Sequence, residues 1–150
     1  MISKGYWTGS YTFQNKQHQF MLRHEQTNFE IIIQTSEQDL FTGIVQDDLS
    51  TGGTAGIGEI KGKVRGDKIE FTKQMPIMTL LIDRKGTRKT INKKHRKIYY
   101  SGTFSQDKKS LSGEWKFKFG FIWMGIFPVP IIPTNGNWTM QLNDDNRMLF

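Results

Sequence analysis

"LSGEWKFKF", Leu111 to Phe119, alternates without a break: Leu111, Gly113, Trp115, Phe117 and Phe119 fall on one side, and Ser112, Glu114, Lys116 and Lys118 on the other. A period of two is that of a strand with one face in a core and one in water, because successive side chains point to opposite faces. The next residues, "GFIWMGIFPVPIIP" from Gly120 to Pro133, carry no charge and three prolines. A two-faced strand thus runs directly into a segment that is apolar on every side.

Outward from this stretch the alternation recurs. "GYWTGSYTF" sets Trp7, Gly9, Tyr11 and Phe13 on one face, and "NFEIII" does the same for Phe29, Ile31 and Ile33. "LFTGIVQDD" aligns Phe41, Gly43, Val45 and Asp47, and "GIGEIKGKV" aligns Gly58, Ile60, Gly62 and Val64. Ile69, Phe71, Lys73 and Met75 follow, then Ile98, Tyr100, Gly102 and Phe104, and last Trp138, Met140 and Leu142. Turn chemistry falls between the runs at Asn15-Lys16, Arg65-Gly66-Asp67-Lys68, Gln106-Asp107-Lys108-Lys109 and Asn135-Gly136. No long segment has helical periodicity. The pattern predicts an all-β single domain over 1–150, an up-and-down antiparallel β-barrel of about 8–10 strands. Inward glycines among large residues favour a barrel over a sandwich, since they mark the bends of strongly coiled strands.

The 150 residues suffice for one core, and four Trp, eleven Phe and four Tyr supply bulk to fill it. The absence of cysteine excludes disulfides, Cys-type zinc sites and a thiol nucleophile. "MISKGYWTGS" has no apolar run of a secretory type, so a cytoplasmic location is expected. The net charge of +7 is local: "RKGTRKTINKKHRK", Arg84 to Lys97, holds eight Lys and Arg and no acid. The remainder has 13 basic against 14 acidic residues.

"GYWTGSY", Gly5 to Tyr11, resembles the G-x-W motif that opens the first strand of the calycin barrels, the lipocalins, fatty-acid-binding proteins and avidins. "FTGIV", "IKGKV", "YYSGTF" and "LSGEW" share an avidin-like rhythm of inward glycines beside aromatics. The resemblance implies a lipocalin- or streptavidin-like barrel holding a ligand inside. It names no ligand. The last strand has no basic residue to pack over Trp7, Arg147 lies beyond it, and the Arg-x-Tyr pair of fatty-acid-binding proteins is absent near the C-terminus. None of the biotin ligands of avidins matches residue by residue.

On this register Trp7, Tyr11, Phe71, Tyr100, Trp115, Phe117 and Trp138 face inward and are the expected lining for an apolar or amphipathic small molecule. Lys73 on the same face is the expected polar anchor for an anionic head group. Asp47 is the other inward charge. A buried charge is costly unless paired, so each needs a partner or a place at the barrel mouth within reach of solvent.

No reaction is indicated. His18, His24 and His95 are scattered, and the sequence has no H-E-x-x-H, G-x-S-x-G or phosphate-loop spacing and no matched acid–base pair. Neither catalysis nor a cofactor nor a metal is expected. "STGGTAGIG", Ser50 to Gly58, reads as a hairpin connection, since no helix with a lysine follows. Asp47 and Asp48 point to opposite faces of a strand, which favours turn capping over metal binding. Arg65-Gly66-Asp67 reads as a tight turn. Asn137-Trp138-Thr139 matches a glycosylation sequon but lies in a strand with an inward Trp.

Two segments stand outside the pattern. The basic one, Arg84 to Lys97, lacks interleaved aromatics and reads either as a solvated connection or as a contact for nucleic acid or an anionic membrane. The apolar one, Phe119 to Pro133, is too short to span a bilayer and its prolines break a helix. It has three readings: a plug across the barrel end, a homodimer interface, or a segment dipping into a membrane, the last favoured if both segments lie at one end. Binding of a small molecule inside the barrel is the first functional expectation. The rival is a filled barrel acting as an interaction or scaffold protein through these two segments.

Overall fold

The computed structural model describes residues 1–14, 26–76, 78–81, 88–91, 97–117, 120–131 and 134–143. Its strands are β1 (Gly5–Phe13), β2 (Thr27–Glu37), β3 (Leu40–Asp47), β4 (Ile57–Arg65), β5 (Lys68–Gln74), β6 (Met78–Leu81), β7 (Arg88–Ile91), β8 (Ile98–Phe104), β9 (Ser110–Phe117), β10 (Gly120–Met124), β11 (Phe127–Ile131) and β12 (Thr134–Leu142). Eight of them close an antiparallel barrel in the order β1-β12-β9-β8-β5-β4-β3-β2, while β6-β7 and β10-β11 form separate two-stranded sheets. The described residues contain no α-helix, only a 3-10 turn at Leu49–Thr51 capped by Asp48, whose carboxylate accepts from the Ser50 amide.

The fold follows from the alternation. In β5, Ile69, Phe71 and Lys73 are buried while Lys68 and Glu70 are exposed; in β12, Trp138 and Met140 are buried between exposed Asn137, Thr139 and Gln141. Outward positions elsewhere hold Lys61, Lys63, Glu114 and Lys116, not the apolar band of a bilayer-spanning barrel. No helix among the described residues is long and apolar enough to cross a membrane. A barrel of eight strands is narrow enough for its own side chains to fill, and one continuous cluster from Trp7 through Phe41, Ile60 and Phe71 to Trp138 occupies it. Gly102 pairs with Gly113 across β8 and β9 and makes room for Trp138. A Cβ on Gly102 would stand 2.7 Å from the indole.

One turn expectation is corrected. Asn135-Gly136 is not a turn but part of β12, paired with Lys116 and Trp115 of β9. Its glycine answers a close approach: a Cβ there would run into the Thr12 carbonyl oxygen and lie 2.6 Å from Trp115 Nε1. The turns at Gly66-Asp67 and Gln106-Lys109 stand as expected. Asn15-Lys16, His18, His24, His95 and Arg147 lie outside the described residues, as does the basic segment apart from Arg88 to Ile91 and Lys97.

Strand direction gives the barrel two unlike ends. At one, the residue pairs Gln38-Asp39 and Gly66-Asp67 and the short turn 105–109 join neighbouring strands, and the chain enters at Gly5 and leaves after Leu142. At the other, β1 ends at Phe13, β2 begins at Thr27, the connection 48–56 joins β3 to β4, and both insertions start and finish. β5 and β8 pair directly, Lys73 with Ile98, and the β6-β7 hairpin is inserted between them. β9 and β12 pair directly, Phe117 with Thr134, and the β10-β11 hairpin is inserted there.

Candidate functional site

The insertion-bearing end is built on a buried ion pair. Asp47 ends β3 and Lys73 lies in β5, both directed inward by the alternation, with β4 between them. Lys73 Nζ sits 2.5 Å from Asp47 Oδ1, with side chains only 3% and 2% exposed. The second carboxylate oxygen accepts from the Thr54 amide at 3.2 Å and from the Tyr11 hydroxyl at 3.5 Å. The ammonium also stands over the Tyr11 ring at 5.1 Å and the Phe29 ring at 5.8 Å, where a cation meets the negative ring face. Of the two alternatives for these inward charges, a partner or reach to solvent at the mouth, the structure shows the first: they are buried and neutralise one another. Lys73 is already paired, and an anionic head group would compete with Asp47 for it.

The other expected lining residues belong to or pack against one core cluster, within which their rings form two groups and Trp7 stands apart. Phe71 stacks on Tyr100 at 4.7 Å, and both meet Trp138 edge-on at 5.4 and 5.7 Å. Nearer the insertions, Trp115 meets Tyr11 at 5.9 Å and Phe13 at 5.1 Å. Trp7 lies toward the opposite end, its indole N–H donating to the Ser3 carbonyl. Trp115 donates to the Thr12 carbonyl, and Trp138 to those of Ser101 and Glu114. Phe117 stays half-buried at the rim, as do Tyr11, Phe13 and Ile98. Burial raises the Tyr100 phenol's affinity for its proton, and the Asp47 charge adds to it; the same two causes act on Tyr11. Both remain neutral phenols across the physiological range, able to donate a hydrogen bond.

Among the described residues no buried side-chain N or O lacks a partner, and no cluster of His, Asp and Glu has the makings of a metal site. Two concavities involve the outer wall, one rich in Ser and Thr hydroxyls around Ser10, Ser112 and Thr139, the other with the lysines 61, 63 and 116.

Sequence reasoning missed two features here. The pairing of Asp47 with Lys73 was legible in principle, as two inward charges of opposite sign at the same end of strands one apart. The second is the β10-β11 tip, where Gly125 takes φ 66° and Ile126 and Phe127 stand 81% and 68% exposed. Charge-free composition signalled an unusual segment without showing that it forms a hairpin. The chain matches no known family model, no curated protein and no solved structure. The barrel is compatible with a calycin-like fold, and the functional reading rests on the molecule itself.

Proposed function

We propose that this protein is a non-catalytic interaction module: a side-chain-filled barrel that presents its insertion-bearing end to a partner. One observation carries the reading. The uncharged β10-β11 hairpin and the β6-β7 insertion, in which the basic stretch of the sequence falls, leave the same end of the barrel, while tight turns close the other. The rings in contact along the interior support a packed core in preference to a ligand chamber.

A second reading keeps the small molecule but moves it to the rim, where Tyr11, Phe13, Ile98 and Phe117 are half-buried. An amphipathic ligand there would lay its apolar part on these side chains, with Lys73 beneath. Native mass spectrometry of the purified protein, with amphiphile titration followed by tryptophan emission, separates the two. The interaction reading expects no retained small molecule and no saturable quenching. A stoichiometric ligand, weakened by Lys73→Met more when anionic than when neutral, would replace it with the rim reading.

A further inference from the structure

We infer that the insertion-bearing end docks on an anionic lipid bilayer, with the β10-β11 tip entering the acyl boundary and the positive charge of the β6-β7 insertion supplying the attraction to the head groups. The inference rests on the interaction reading above and names its partner. Ile126 and Phe127 are two large apolar side chains held out at a hairpin turn, 81% and 68% exposed. No charge occurs from Phe119 to Pro133, so no charged side chain opposes entry of the tip into the apolar boundary. The β6-β7 insertion leaves the same end and carries Arg88 and Lys89 in β7, within the sequence stretch Arg84 to Lys97, which holds eight positive charges and no acid and follows the single acid of the insertion, Asp83. The rest of the chain has a net charge of −1, so electrostatic attraction to an anionic surface orients this end toward it.

A bilayer fits both features together, an anionic layer above an apolar one. Nucleic acid would satisfy the lysines and arginines but leave the tip in water. A second copy of the chain would cover the tip, but a two-fold contact at this end brings two strongly basic segments together. Extension of the β10-β11 sheet is disfavoured as well. Pro128 and Pro130, two residues apart, remove both N–H donors from one edge of β11, which the strand tolerates only with that edge turned away from β10.

The chain has no cysteine, so an environment-sensitive fluorophore can be placed on Ile126→Cys, with Ser101→Cys on the barrel wall as control. In flotation, the full chain should bind vesicles containing phosphatidylserine, bind phosphatidylcholine alone far more weakly, and release in high salt. The label at 126 should report an apolar environment on the anionic vesicles, and the label at 101 should not. Ile126→Ser with Phe127→Ser should weaken binding at least about tenfold, since burying each side chain is worth at least a factor of that order, while the melting temperature stays put. Binding insensitive to the tip substitutions, or equal binding to a DNA duplex, would overturn the inference. So would a label at 126 that responds only to protein concentration. Those results leave the interaction reading standing, whereas a retained small molecule without vesicle binding removes both.

Discussion

Lys73 and Asp47 hold strands β5 and β3 together across β4, their charged atoms 2.5 Å apart in a space closed to water. A buried pair of this kind gains little over well-packed apolar residues, but removing one partner strands a charge, at a cost of about 3–5 kcal/mol. Lys73→Met and Asp47→Leu should each lower the urea midpoint severely, and the double variant should recover most of the loss. Additive losses would show that the two residues are not coupled.

The tyrosines give a pH dependence of definite sign. Burial raises the affinity of Tyr11 and Tyr100 for their protons, and the Asp47 charge adds to it. Unfolded phenols titrate near 10, so the folded state binds these protons more tightly. The stabilisation is fully present below about pH 10 and falls away as pH rises beyond it. Melting temperature should be flat on this account up to about pH 10 and decline above it. Tyr100→Phe should flatten the alkaline limb, and spectroscopic titration should find phenols that ionise only as the circular dichroism of the fold is lost.

The barrel was legible because its signal is local: a residue and its second neighbour share a face whatever the chain does later, so the inward set from Trp7 to Met140 could be read directly. What failed was non-local. Asn135-Gly136 has the chemistry of a turn, yet Gly136 lies in a strand because Thr12 and Trp115 crowd it from two others. The partners of Lys73 and Asp47 required knowing that β3 and β5 flank one strand. The hairpin in "FIWMGIFPVPI" was silent for another reason: with every residue apolar, no contrast remains to reveal a period.

Gly136 supplies a sharp packing test. Ala there must displace the Thr12 carbonyl, which accepts the Trp115 indole N–H at 2.9 Å, or the indole itself. Overpacking of this kind costs about 1–3 kcal/mol, and Gly136→Ala should lower stability by that order with a red shift in tryptophan emission. Gly66 is the contrast. It sits at φ 59° with open space where a side chain would project, so Gly66→Asn, a residue that tolerates this conformation, should change the denaturation midpoint little.

The last prediction concerns the independence of the insertions from the barrel. Lys73 pairs with Ile98 and Phe117 with Thr134, so the ladder on either side of each insertion is complete without it. Loop closure depends only weakly on length, and exposed charges contribute little to stability. Met75 is buried and must be kept. Replacing residues 77–96 with a Gly-Asn turn should therefore move the melting temperature by no more than a few degrees, while binding to heparin or anionic vesicles is lost. Replacing 118–133 in the same way should spare the barrel and remove the apolar contribution to vesicle binding. A loss of several kcal/mol in the first variant would mean that the basic connection supports the barrel wall. The same loss in the second would mean that the apolar hairpin covers the half-buried rim of Phe13, Ile98 and Phe117, which would make it a plug and not a docking tip.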